Sequence, residues 1–527
     1  MVLSAVRQQL QRFTFGESLA VGLLVGGHFA LCCYLSYAVS LGIDEACTLA
    51  SSAHGPNHAF SQALHFELQP PAYFVTLSFW RVAGDSLFVA RLFSVFCTTA
   101  ALIVLAVISR RFLPGVHSGW VVGAAALNPA MLYAASEARC YALVVLLSSL
   151  QILLFHDCFL REQASRWKLF AFGASALAGL LTFYFLGFAL VGLAAGLVVV
   201  RRWKALRNYL VCMFCVGLLF IPQALNVSSQ VAEHTTTVSA RPGFVEAARY
   251  VSWQTRDMIL PSDWEPLPDS SRWIWVVVGG LWLALGFRFR TLLRQPGHRA
   301  CYGLIVVMAG FYLMASQLMG NELLAARHIM PLFLPALLGT FFLAWEAGSR
   351  RGVAVWCLLI LALSGTADWL RFHRLARQGD WKRVTAYIMR NERAGEPIVL
   401  FKAPAELGVR HYYSGTNALV PVPAPVTFDR LNVAGYVLHT SEEVSGPVEK
   451  AGPGHTGLWV VRYGTHSNRD IQFGVEYLDA YLSAGYERVE FRKFSGTTVE
   501  RYRVRDPRQL AASSFADGSA VRTEGGH

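Results

Sequence analysis

Apolar runs of membrane-spanning length alternate with short polar segments from residue 18 to residue 369. A helix needs roughly 20 mostly apolar residues to cross a hydrocarbon core. Such runs fall near 18–41, 87–109, 117–135, 140–157, 169–183, 187–200, 209–224, 273–287, 300–318, 329–346 and 353–369, eleven in all. The first, Ser18–Leu41, is longer than the ~7–15-residue apolar region of a signal peptide, and no small-residue cleavage site follows it. It reads as a retained span. The stretch 72–83, "AYFVTLSFWRVA", is too short to cross. It predicts a helix lying at the interface, with Tyr73 and Trp80 at headgroup level.

Near residue 370 the period changes. "DWKRVTAYIMRNERAGEPIVLFK" predicts an amphipathic helix, a turn and a buried strand. Strand-like "LWVVRY" (458–463), helical "GVEYLDAYLSAG" (474–485), and strand-like "ERVEFRKF" and "TTVERYRV" follow. Alternating helix and strand predict a small α/β domain. The expected organisation is a transmembrane domain at 1–369, an α/β domain at 370–508 and a disordered, small-residue tail at 509–527. No internal repeat is visible.

Composition agrees with a polytopic α-helical membrane protein. Of 527 residues, 54% are hydrophobic and 15% charged, against about 25% charged in soluble chains. The net charge of +12 does not point to nucleic acid, because the basic residues sit in short loops between apolar runs. With a cytoplasmic N-terminus, the inner segments hold seventeen Lys and Arg and the longer outer segments six. That asymmetry satisfies the positive-inside rule. It places the loop 43–86 and the C-terminal domain outside the cytoplasm, in a multi-pass protein of the inner (plasma) membrane. The ten cysteines all precede residue 358, mostly in apolar runs, and none has zinc-type spacing.

Chemistry concentrates at the outer ends of the spans. Asp44 and Glu45 follow the first span side by side. At the start of a helix their side chains diverge by roughly 100°, so two separate jobs suit them better than one shared proton. The same pair would also serve simply to stabilise a helix N-terminus. The loop carries His54, His58, His65 and Glu67, then Gln69 before a double proline. His54 and His58, four apart, would share a helical face and could pair on a metal. In "SEARCYAL", Arg139 stands beside Glu137 and Tyr141; in "AARHIMPLFLPALL", Arg327 and His328 precede another span. Two guanidinium groups at one depth could clamp a phosphate.

The order Asp-Glu after the first span, "QPPAYF", "FVARLFSVFCTTAALIVLAV", "SEARCYALVVLLSSL" and "RHIMPLFLPALL" resembles the GT-C membrane glycosyltransferases. The likeness is to the branch of dolichyl-phosphate-mannose-protein mannosyltransferases and lipid A aminoarabinose transferases. It covers about residues 15–350 and is strongest in 40–145. The resemblance implies a polyprenyl-phosphate-linked sugar donor, an extracytoplasmic protein, lipid or glycan acceptor, and transfer with inversion. It implies that Asp44 is the general base on the acceptor hydroxyl, with Glu45 its acidic neighbour in the catalytic loop, expected to orient a substrate. Arg139 and Arg327 match basic positions near the donor phosphate. Gln69 takes a donor-side position but departs from the family pattern, where charged residues precede the double proline. Glu67, Glu137, His65, Tyr141 and His328 read as substrate-binding. A lipid phosphate is already a good leaving group, so a strong general acid is unnecessary, and no cofactor is fixed by the resemblance. A divalent metal is left open, with His54 and His58 as candidate ligands. The competing reading is a transporter or flippase of lipid-linked sugars, which would more often show inverted repeats and broken midplane helices.

Overall fold

A computed structural model of the chain describes residues 14–161, 165–235, 243–260, 294–319, 327–377, 379–430, 432–464 and 472–505. The chain divides into two compact units. Of the described residues, one unit comprises those up to 39 together with those of 48–375, and the other 40–47 together with those from 376 onward.

The first unit is helical. Six of its described helices are long and apolar enough to cross a membrane: Phe15–Ala38, Leu87–Phe112, Tyr141–Leu160, Trp203–Val227, Pro296–Gln317 and Met330–Phe372. Leu186–Val199 is a shorter apolar helix. Large side chains such as Leu23, Phe170, Phe214, Leu219, Val306 and Leu358 face outward. Helices apolar on their outer as well as their inner faces suit lipid rather than water.

The last of these helices is two expected spans in one. Gly348 and Ser349 leave helical geometry, Ser349 with φ of +52°. Trp356 Nε1 donates to Thr340 Oγ1 at 3.0 Å across a separation of sixteen residues. A straight helix would hold them about 24 Å apart, so the chain doubles back. The run expected to cross over 117–135 is instead broken into Ser118–Ala126 and Pro129–Ala135. Asn128 makes the break: its side chain caps the Ala130 N–H at 2.9 Å and donates to the Met258 carbonyl at 2.7 Å. Pro129 has no N–H with which to continue the helix before it. The expected span at 273–287 and the tail at 509–527 lie outside the described residues. The short stretch after the double proline forms helix Ala72–Trp80 and a 3-10 turn, Arg81–Ala83. Tyr73, at 1% exposure, packs on Phe74 and Phe93. Its ring therefore faces protein, not a headgroup layer.

The second unit carries a five-stranded sheet in the order β2-β1-β3-β5-β4, with β1 Ile398–Phe401, β2 Leu419–Val422, β3 Gly457–Tyr463, β4 Tyr486–Phe494 and β5 Thr497–Val504. β1 runs parallel to β2 and β3, whereas β5 pairs antiparallel with β3 and β4. Alternate residues feed two layers. Val399, Phe401, Leu458 and Val460 pack with Leu478 and Leu482 of helix Val475–Gly485. Ile398, Leu400, Trp459 and Val461 pack with Trp381, Val384 and Ile388 of helix Trp381–Asn391. Parallel strands covered on both faces read as continuous apolar runs, as "IVLF" does.

Candidate active site

The loop before the double proline is pinned residue by residue. Helix Pro56–His65 ends at Phe66, and the Glu67 N–H returns to the Gln62 carbonyl at 2.9 Å. Leu68 then takes φ of +51°, a left-handed conformation costing about 1–2 kcal/mol. The Gln69 N–H bonds Ala63 O at 2.9 Å, and past the prolines the Ala72 N–H bonds Leu181 O at 2.8 Å. This reversal, held from both sides, turns Glu67 into the protein.

There Glu67 meets Arg139. Arg139 sits in the turn between Pro129–Ala135 and Tyr141–Phe155. Its Nη1 donates to Glu67 Oε2 at 2.8 Å and to Thr48 Oγ1 at 2.9 Å. Ser51 Oγ donates to the other Glu67 oxygen at 3.1 Å. The two side chains are 7% and 5% exposed. An ion pair so deeply desolvated persists only when both charges are matched and hydrogen-bonded. Gln69 is drawn in beside it, with Oε1 4.0 Å from Cys140 Sγ.

Glu137 is anchored separately. Tyr133 donates to its carboxylate at 2.9 Å, and Ser94 to its backbone carbonyl at 2.6 Å. Tyr141 is buried edge-on against Phe183, 6.2 Å between centroids. Arg327 is exposed in a turn. Its neighbour His328 lies against Phe183 and Phe185, 6.5 and 5.6 Å between centroids, and its carbonyl accepts from Tyr312 at 2.9 Å. The structure therefore gathers Glu67, Gln69, Glu137, Arg139, Tyr141, Arg327 and His328 at one end of the helical unit.

Asp44 and Glu45 occupy the first turn of helix Ile43–Ser51. Glu45 is fully buried and folds back to accept the Gly42 N–H at 2.9 Å, with Arg377 Nη1 at 3.9 Å. Asp44 is half-buried. The segment before them belongs to the second unit: the Leu41 N–H donates to Tyr412 OH at 3.0 Å, and Ile43 packs on the layer containing Trp381.

His54 and His58 do come together, at 5.0 Å between ring centroids. They do not share a helix face, however, because His54 lies in a turn ahead of Gly55, whose φ is +84°. Two imidazoles fall short of the oxygen-rich shell that Mg²⁺ or Ca²⁺ takes. Among the described residues no group of three or more His, Cys, Asp or Glu side chains is placed to hold a metal. His65 is exposed and bonds Ser61 O, one turn back, at 2.9 Å.

Two arginines that the sequence reading passed over are structural keys. Arg91 is 0% exposed and donates to the Ser36 and Val39 carbonyls at 2.9 and 2.8 Å, closing the C-terminus of helix Phe15–Ala38. Arg81 donates to Leu49 O and Ser52 Oγ and pairs with Asp85. Burial draws its pKa down, and the Asp85 charge opposes that. A charge inside an apolar run, as in "FVARLFSV", was the available signal for Arg91.

No protein-family model matches the chain, and no curated protein sequence matches it. A solved structure does. ArnT from Cupriavidus metallidurans, bound to undecaprenyl phosphate, is similar at a TM-score of 0.53 and 14% identity, over 91% of this chain and 97% of that one. The chain has a GT-C fold. The archaeal oligosaccharyltransferase AglB from Archaeoglobus fulgidus, in complex with an inhibitory peptide and a dolichol-phosphate, is matched at a TM-score of 0.40 and 10% identity, over 90% of this chain and 74% of that one. At 14% identity the likeness to ArnT concerns the fold alone.

Proposed function

We propose that this GT-C chain is a glycosyltransferase of the cell's inner membrane that moves a sugar from a polyprenyl phosphate to an extracytoplasmic acceptor. The observation that carries the reading is Arg139, buried against Glu67 at the end of the helical unit where His328, the residue after Arg327, packs on Phe183 beside Tyr141. Buried guanidinium beside apolar spans is costly and marks function by default. A lipid phosphate is the ligand whose charge such a pair would match.

In the proposed step the acceptor hydroxyl oxygen attacks the anomeric carbon from the face opposite the phosphate. The C1–O bond to phosphate breaks, its electron pair leaves on the phosphate oxygen, and the configuration inverts. Asp44 takes the acceptor proton. Arg139 and Arg327 stabilise the departing charge, and such preorganised groups are usually the largest catalytic contribution. Glu67 holds Arg139 in place before the donor arrives. Glu45, engaged with Gly42 and Arg377, orients the helix that carries Asp44. His65, Gln69, Glu137 and His328 line the substrate side of this scheme.

The test is Asp44→Asn in the full-length protein, assayed with a synthetic undecaprenyl-phosphate sugar. Loss of a general base predicts a ~10²–10⁴-fold fall in transfer, with donor binding and thermal unfolding unchanged. Undiminished transfer would remove Asp44 from the chemistry. Mass spectrometry of envelope glycans with and without the protein names the sugar and the acceptor. A flippase predicts lipid translocation that survives the substitution.

A further inference from the structure

A charged cavity lies at the end of the helical unit opposite the candidate active site. Arg91, near the start of helix Leu87–Phe112, bonds the end of helix Phe15–Ala38, whereas Arg110, near its finish, bonds Glu17 in the first turn of that same helix. Nineteen residues of helix put these points about 28 Å apart. At the Arg110 end a cavity of about 290 Å³ opens, lined among others by Thr14, Glu17, Arg110, His117, Trp120 and Arg350.

Its chemistry is asymmetric. Glu17, 3% exposed, is committed to the Ser118 N–H at 2.9 Å, the Ser118 hydroxyl, and Arg110 at 3.1 Å. Arg350 uses Nε on the Gly115 carbonyl at 3.2 Å, one of the five donors a guanidinium carries. The Gly115 loop is held tightly, since a Cβ there would stand 2.6 Å from the Trp345 ring. His117 Nδ1 accepts the Gly119 N–H at 3.1 Å. A neutral ring so bonded carries its proton on Nε2, as a further donor. Two guanidinium groups and an imidazole donor thus face one committed carboxylate, beside an indole.

We infer that this cavity binds a phosphate-bearing headgroup, the chemistry for which basic pockets between spanning helices are suited. The ligand is either an anionic phospholipid of the adjacent leaflet or a soluble phosphate compound. The site stands apart from the sugar-transfer reading and does not depend on it.

The test uses the full-length protein in detergent, titrated separately with phosphatidylglycerol, phosphatidylcholine and inorganic phosphate, with binding followed by native mass spectrometry. Wild type should bind phosphatidylglycerol in preference to phosphatidylcholine, and Arg350→Gln should weaken that binding ~5-fold. Arg350→Lys, which keeps the charge, should retain most of it. Binding of inorganic phosphate with the same loss in R350Q, and no lipid preference, assigns the site to a soluble phosphate. If neither ligand binds wild type better than phosphatidylcholine, or if R350Q binds as wild type does, the inference is overturned. The wild-type titration decides even if a variant folds poorly.

Discussion

Among its described residues the helical unit holds two Arg–Glu pairs with buried carboxylates, one at each end, and they are built differently. Glu67 accepts from Arg139 and from the Ser51 hydroxyl, and both partners of the ion pair are nearly sealed, at 5% and 7% exposure. Glu17 is equally buried, yet it takes a backbone N–H and a hydroxyl from Ser118, and its Arg110 is 30% exposed. In the first pair both charges are sealed from solvent. In the second the protein backbone holds the acid, and the arginine is left facing a cavity. The lesson is that a buried carboxylate near an arginine does not by itself reveal which group the arginine serves.

Three substitutions put that contrast at risk. The largest effect belongs to Arg139→Met, which strands the Glu67 carboxylate in a sealed site; breaking a buried pair costs about 3–5 kcal/mol. Thermal unfolding in detergent measures it, and adding Glu67→Gln should restore most of the loss. A cost under about 1 kcal/mol would show that the pair is not mutually dependent. Next comes Glu17→Ala, which leaves the Ser118 N–H and hydroxyl without their acceptor, a loss of about 1–3 kcal/mol. Smallest is Arg110→Gln. Glu17 keeps its Ser118 bonds and the lost guanidinium is partly solvated, so no more than about 1 kcal/mol is expected. Equal costs for Arg110→Gln and Arg139→Met would erase the difference between the two ends.

Much of the architecture could be read from one dimension. The first span, the helix Leu87–Phe112, the two arms of the final hairpin and the strands at 458–463 and 497–504 stand where periodicity placed them. β2 was not among the expected strands; its "LVPV" carries Pro421, and β2 lies at a sheet edge, where a strand tolerates proline. The break at Asn128 was hidden because an apolar run looks the same whether or not its helix is interrupted. At the site, Arg139 and Glu67 were both legible as candidates. Their partnership across 72 residues was not, nor was the return of Glu45 to Gly42.

What the sequence determined by itself is where the chain prefers oil, where it prefers water, and which residues are too costly to bury without cause. These are local solvation properties, and each residue carries them wherever it goes. Tertiary structure alone decided which charge faces which: Arg139 on Glu67, Arg110 on Glu17, Arg91 on the end of the first helix. Pairing depends on distance through space, and a chain folded back on itself brings distant positions together that no local period records.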